Sequence, residues 1–298
     1  MAASSTGGFP RKLSEQKRRC MQSSCFFEPL LDSATQQVFG GQFGGSQLED
    51  AASLEAIVAA GSGTHAAVYG ELPYTSATKL FVDGGIYPPG LYADDVFCDL
   101  GSGTGKLVMQ AFLTTRVRKA IGVELGRKRH ETSRLLKQEV LKRLFCQRKS
   151  WSPSTSNREV EVTSDNRENS ATGNQEVDDE WFCDHGIEFR CDNILTTDVS
   201  DATVVFYSSL MFDEEFIDKM AVKISRECTK LRYLITLTPI GCSASGPGCE
   251  DNHVGKLGLS LVGTPRIRMG WSDKQPTHST LGLQPVYIYV RATSAEAR

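Results

Sequence analysis

No apolar run in this sequence approaches the ~20 residues a helix needs to cross a bilayer, which argues against a helical membrane span. The opening stretch, MAASSTGGFPRKLSEQKRRC, has no apolar core of the kind a secretory leader requires. Basic charge is not in excess either. The net charge is −3, so any contact with nucleic acid has to come from local clusters. The nine cysteines are odd in number, scattered and without a CxxC pair, which fits a reduced intracellular setting best. Cys183, His185 and Cys191 stand close together, but their spacing does not suit a zinc knuckle; they read as ordinary side chains, with no metal.

What is present is a chain of 298 residues, 40% of them hydrophobic, enough for one large domain or two small ones. Residues 1–45 are rich in Gly, Ser and Gln, with a basic cluster at Arg11, Lys12, Lys17, Arg18 and Arg19, and read as a mobile tail. SQLEDAASLEAIVAAG reads as a short helix, capped by Ser46 and ended by Gly61. From Val96 onward strands and helices alternate. VFCDL is a continuous apolar run with one acid, the mark of a buried parallel strand. KAIGVEL is a second strand. GRKRHETSRLLKQEVLKRLF is then a helix with Leu135, Leu136, Val140, Leu141 and Leu144 on one face and Arg127, Lys128, Arg134, Lys137 and Arg143 on the other. Residues 147–180 are polar and aperiodic and read as a disordered insertion. IEFRC, ATVVFY and LRYLITLT supply three more strands, and Asp213 caps a helix between the last two. PRIRMGWS and PVYIYVR alternate like the arms of an antiparallel hairpin. This order predicts an α/β domain over residues 46–298: a doubly wound, mostly parallel sheet with a C-terminal antiparallel hairpin. Ligands bind such sheets beyond the carboxyl ends of the strands, where the glycine loop, Glu124, Asp192 and Ser208 fall.

The loop itself, DLGSGTGKL, narrows the ligand. A triphosphate loop needs Gly-Lys followed by Ser or Thr, but Leu107 follows Lys106, and Leu100 holds the first Gly position. A dinucleotide loop needs GxGxxG, but Gly101, Gly103 and Gly105 give GxGxG. Asp99 beside the loop would repel a pyrophosphate and attract an ammonium group, and S-adenosylmethionine carries an amino-acid end and no phosphate. Glu124, at the end of the second strand, can accept both ribose hydroxyls, and Asp192, ending the third, can accept from the adenine amino group.

VYGEL, VFCDLGSGTGKLVMQ, IGVEL, VVFYSSLMFDEEF and MGWSD…PVYIYV, in this order, resemble the disruptor-of-telomeric-silencing (Dot-one-like) family of non-SET histone lysine methyltransferases, over roughly Tyr69 to Arg291. The resemblance implies a class I S-adenosylmethionine-dependent methyltransferase fold with a seven-stranded sheet. It implies transfer of methyl from S-adenosylmethionine to a core-surface lysine of histone H-three, with the nucleosome as partner and the nucleus as location. A monomer is expected, with DNA contacts through local basic patches. It assigns Tyr69, Gly70, Glu71 and Leu72 to a loop closing over the methionine end, and Phe97, Asp99, Gly101, Ser102, Gly103, Gly105 and Lys106 to the main cofactor loop. Glu124 takes the ribose, Asp192 and Asn193 the adenine, and Ser208, Phe212, Trp271 and one of Tyr287 or Tyr289 (Tyr289 preferred) the lysine channel. The sequence departs from the family at Leu72 (usually Thr), Lys106 (usually Gln), Asn193 (usually aromatic) and Ser208-Ser209 (usually paired Asn). A small-molecule methyltransferase and a cofactor-binding scaffold without catalysis are the competing readings. An arginine or adenine methyltransferase is disfavoured: Glu214 and Glu215 look like first-turn helix acids, and YSSLMF is not an Asn/Asp-Pro-Pro motif.

Overall fold

The computed structural model describes residues 24–39, 72–81, 90–150, 186–210, 212–241, 253–270 and 283–291. The elements run α1 (Ser24–Phe39), α2 (Tyr74–Phe81), β1 (Val96–Leu100), α3 (Lys106–Thr114), β2 (Lys119–Glu124), α4 (Arg127–Ser150), β3 (Ile187–Cys191), β4 (Val204–Tyr207), α5 (Glu214–Glu227), β5 (Tyr233–Thr236), the single turn α6 (His253–Lys256), β6 (Leu259–Gly263), β7 (Arg266–Ile267), β8 (Gln284–Pro285) and β9 (Tyr287–Arg291). Seven strands form one sheet in the order β3-β2-β1-β4-β5-β9-β6. β1 to β5 pair in parallel, and β9 runs antiparallel to both neighbours. The doubly wound architecture expected from the sequence is therefore observed.

The apolar run of β1 is buried along its whole length because both faces of the sheet are covered. Phe97 joins one core with α1 to α4, while Val96, Cys98 and Leu100 join the other with α5. Asp213 caps α5, its Oδ1 accepting from the Phe216 N–H at 2.8 Å, and Glu214 and Glu215 occupy the first turn, where the helix dipole favours acids.

Four expectations are corrected. The tail predicted over residues 1–45 contains α1, in which Phe27, Leu30, Leu31 and Ala34 recur at helical spacing and are buried against α2 and α4. Flanking polar composition and Pro29 within the helix hide that stripe in the sequence. The disordered segment does not begin at residue 147, since α4 continues to Ser150. On α4, Leu136, Val140 and Leu144 face the core as expected, but Leu135 is 53% exposed, one position off the buried stripe. The C-terminal antiparallel hairpin is present, but its arms are other than expected: β9 pairs with β6, around an irregularity between Leu261 and Gly263, while Arg266–Ile267 pairs with Gln284–Pro285 in a separate ribbon. PRIRMGWS alternates more clearly than LSLVG, whose Leu261 and Val262 are both exposed, so the sequence pointed to the wrong arm. The basic cluster at 11–19, the helix expected at 46–60 and residues 151–180 lie outside the described residues.

Candidate active site

The glycine loop, Glu124, Asp192 and Ser208 follow or end β1, β2, β3 and β4, so one edge of the sheet gathers them. Gly101, Gly103 and Gly105 adopt left-handed backbone with φ of 86°, 54° and 78°. The Gly101 and Ser102 N–H groups both donate to Val123 O, at 2.9 and 3.0 Å, which folds the loop back over β2. A Cβ on Gly101 would meet nothing within 4 Å, so this glycine leaves an open approach to the backbone. A Cβ on Gly105 would stand 2.4 Å from the Phe189 ring, so this one serves close packing as well as backbone conformation.

Asp99 is 4% exposed, and no hydrogen-bond donor among the described residues reaches its carboxyl group. Burial, and then the charge of Glu124, push its pKa up to about 8. Glu124 is also buried but well supported: Oε2 accepts from the Gly103 N–H and Oε1 from the Gly126 N–H, both at 2.8 Å. The Arg129 guanidinium, itself buried, lies 4.0 Å from Oε1. Two carboxylate oxygens have capacity for further donors beyond these. Ser102 Oγ is buried without a hydrogen-bond partner among the described residues. A buried bare acid, a buried orphan hydroxyl and an open glycine together suit a ligand that brings a cation and hydroxyl donors.

Asp192 is half-buried at the end of β3, and its Oδ1 accepts from the Asn193 N–H at 2.7 Å. The Asn193 Oδ1 accepts from the Leu195 N–H at 2.9 Å, so this side chain caps the following turn. Phe97, assigned to the cofactor loop, is instead fully buried, its ring 5.2 Å edge-on to Phe81. That placement makes it a strut beneath the loop. Lys106 opens α3, and Leu72 packs against the core beside α2. Tyr69, Gly70, Glu71 and Trp271 lie outside the described residues.

The two serines after β4 differ sharply. Ser208 is half-buried, whereas Ser209 is fully buried and accepts from the Leu237 N–H (3.2 Å), the Thr238 N–H (2.9 Å) and the Thr238 hydroxyl (2.5 Å). Ser209 thereby ties the end of β4 to the end of β5. Phe212 lies between two rings, stacked on Tyr207 at 5.3 Å and on Phe216 at 4.6 Å. The structure sets the two candidate channel tyrosines apart. Tyr289 is 2% exposed in the α5 core and its hydroxyl accepts from the Ile240 N–H at 2.9 Å. Tyr287 is half-buried opposite Thr236, at the carboxyl end of β5. A two-residue step along an extended strand keeps the face but moves the side chain ~7 Å, which separates edge from core.

Sequence reasoning missed the part Ser209 plays in tying β4 to β5, and it missed Arg129 and Gln110, whose Nε2 joins α3 to Tyr74 O (2.9 Å) and Thr78 Oγ1 (3.0 Å) on α2. It also missed Asp95. That buried carboxylate, at the opposite edge, receives Thr203 Oγ1 (2.7 Å), the Tyr92 N–H (2.6 Å) and the Arg232 guanidinium. The partners of Asp95 in Thr203 and Arg232, the latter 137 residues away, have no local signature, whereas Arg129 stands close in sequence to Glu124.

The strand order, with one antiparallel strand inserted next to the last, and an edge that gathers the β1 loop and the β2 acid define a class I methyltransferase fold. A family model described as "Histone methylation protein DOT1" matches residues 57–172, a span that includes the glycine loop and Glu124, and so bears out the resemblance carried by the motifs. No curated protein matches the chain. Among solved structures, an RNA methyltransferase from Salinibacter ruber in complex with S-adenosyl-L-homocysteine is 15% identical, with a TM-score of 0.35, covering 67% of this chain and 82% of that one. A ribosomal protein L11 methylase from Lactobacillus delbrueckii subsp. bulgaricus is 9% identical, with a TM-score of 0.41, covering 75% and 82%. Likeness at this level adds nothing to what the strand order already gives. Fold and family match together support an S-adenosylmethionine-dependent methyltransferase.

Proposed function

We propose that the chain methylates a lysine on the folded surface of histone H-three in nucleosomes, in the nucleus, with S-adenosylmethionine as cofactor. The observation that carries the cofactor is Asp99, a buried acid that no donor among the described residues reaches, beside a glycine whose outer side is open. An ammonium group placed there would relieve the cost of ionising it. Glu124, held by two backbone N–H groups, would take the ribose hydroxyls, and Asp192 with Asn193 would border the adenine. The family description supports the histone as substrate.

S-adenosylmethionine, when bound, supplies an electrophilic methyl group on sulfur. The chain's part is to deliver a neutral amine in line with it. Free lysine has a pKa of ~10.4, so the amine arrives mostly protonated. Apolar and aromatic walls disfavour the ammonium form and lower that value. Phe212, rigid within its stack, is one such wall, with Ser208 beside it and Tyr287 and Trp271 as the further members of the channel. Tyr69 to Leu72 form the closing loop in this reading. Alignment of the two reactants then supplies much of the rate.

A lysine on a folded surface cannot be drawn deep into a cleft, so docking has to use contacts beyond it. Radiolabelled methyl transfer onto nucleosomes, free histones and a metabolite mixture tests the reading. Nucleosomes are expected to be the best substrate, with activity falling as salt rises by about 0.9 log units per log unit for each phosphate contact. Transfer only to metabolites, or equal transfer to a short peptide with no salt effect, would remove the nucleosome from the proposal.

A further inference from the structure

Tyr207 is the last residue of β4, between Leu100 of β1 and Thr236 of β5, directly beside the start of the glycine loop. Its side chain is 1% exposed, yet its hydroxyl has no hydrogen-bond partner among the described residues. The ring is well placed, stacked on Phe212, which in turn stacks on Phe216. A phenylalanine would serve that stack equally well and would avoid burying a bare hydroxyl, which costs stability. Among the described residues the hydroxyl is therefore a cost to the fold, and it lies next to Phe212 and Ser208, the residues proposed for the substrate channel.

The neighbouring polar groups sharpen its role. Ser209 is consumed in tying β4 to β5, so of the serine pair only Ser208 remains for a substrate. The family's paired Asn is absent, and the amide groups it would supply are missing from this edge. A neutral amine attacking along its lone pair presents N–H groups that need acceptors. A carboxylate acceptor would hold the amine in its charged, unreactive form. A neutral hydroxyl accepts an N–H with far less bias towards the ammonium. The Tyr207 phenol stays neutral, because burial, and then the charge of Asp213, push its pKa above the ordinary tyrosine value.

We propose that the Tyr207 hydroxyl is a substrate-positioning group: it accepts a hydrogen bond from the incoming amine and helps to aim the amine's lone pair. The proposal rests on the lysine reading above and names the atom that would orient the nitrogen. It gives Tyr207 the task that the missing Asn side chains leave open.

The test is Tyr207→Phe in the full chain, with nucleosomes and S-adenosylmethionine. Melting temperature should hold or rise, and calorimetric affinity for S-adenosylhomocysteine should be unchanged. The kcat for methyl transfer should fall about three- to tenfold, the range expected for losing one neutral hydrogen bond made in the transition state. Unchanged kcat, or a fall in melting temperature and cofactor affinity together with kcat, would overturn the proposal in favour of a structural hydroxyl while leaving the lysine reading in place. A wild-type chain that transfers nothing to nucleosomes would defeat the lysine reading, and this proposal with it.

Discussion

Ionisation of Asp99 should couple both stability and cofactor affinity to pH. The carboxyl group is buried near Glu124, and burial followed by the Glu124 charge pushes its pKa up from 3.8 to about 8. An acid whose pKa is raised on folding is protonated in the folded chain over a range where the unfolded chain has already released its proton. Its contribution to stability is complete below about pH 4 and is lost as pH rises to about 8, with a slope of at most ~1.4 kcal/mol per pH unit. Asp99→Asn keeps the shape and removes the charge, so the variant should lose this slope and melt higher than the parent at about pH 8. The cofactor's ammonium needs the opposite state, the bare carboxylate. Binding near neutral pH should then expel up to about one proton, and affinity should strengthen by up to about tenfold per pH unit between about pH 5 and 8. Calorimetry with S-adenosylhomocysteine in buffers of different ionisation enthalpy counts that proton directly. Melting curves of parent and variant from pH 4 to 9 read the stability arm. A parent that binds without proton release, with an affinity independent of pH across this window, would refute the assignment of the ammonium to Asp99.

Three further substitutions probe other parts of the structure. Glu124→Ala should weaken cofactor binding by about 1.5–3 kcal/mol, as for hydrogen bonds to a charged group, and should also lower melting temperature because Gly103 and Gly126 lose their acceptor; calorimetry with an unchanged Kd would remove the ribose role. Phe27→Ala should cost about 3–5 kcal/mol, since the ring is fully buried and stacks on Tyr74 at 5.5 Å; denaturant unfolding with a loss under 1 kcal/mol would make α1 dispensable. Asp95→Ala should destabilise by roughly 1–3 kcal/mol through the stranded Thr203, Tyr92 N–H and Arg232 groups, with cofactor affinity unaltered because the cluster lies at the amino ends of the strands. A drop in affinity at constant stability would contradict that placement.

The sequence by itself determined the parallel part of the sheet and the chemistry of its loop. A continuous apolar run such as Val96–Leu100 has few stable homes other than a strand covered on both faces, and an acid placed next to three glycines favours an ammonium over a pyrophosphate wherever the chain goes. Asp213 as a helix cap and Glu124 as a strand-end acid were legible for the same reason: their roles depend on neighbours within a few residues. Tertiary structure alone decided the rest. β9 could choose β6 over the segment with the better alternation because pairing is set by which edge the fold presents. Tyr287 and Tyr289 carry the same side chain on the same face, and only the register against β5 separates the site edge from the core. Ser208 and Ser209 are adjacent and identical in chemistry, yet one is half-buried at the site edge and the other is bound to Thr238, 29 residues on. The stripe on α1 became visible only against the helices that bury it. Local residue order sets backbone preference and available chemistry, while burial and long-range partners exist only once distant segments share a surface.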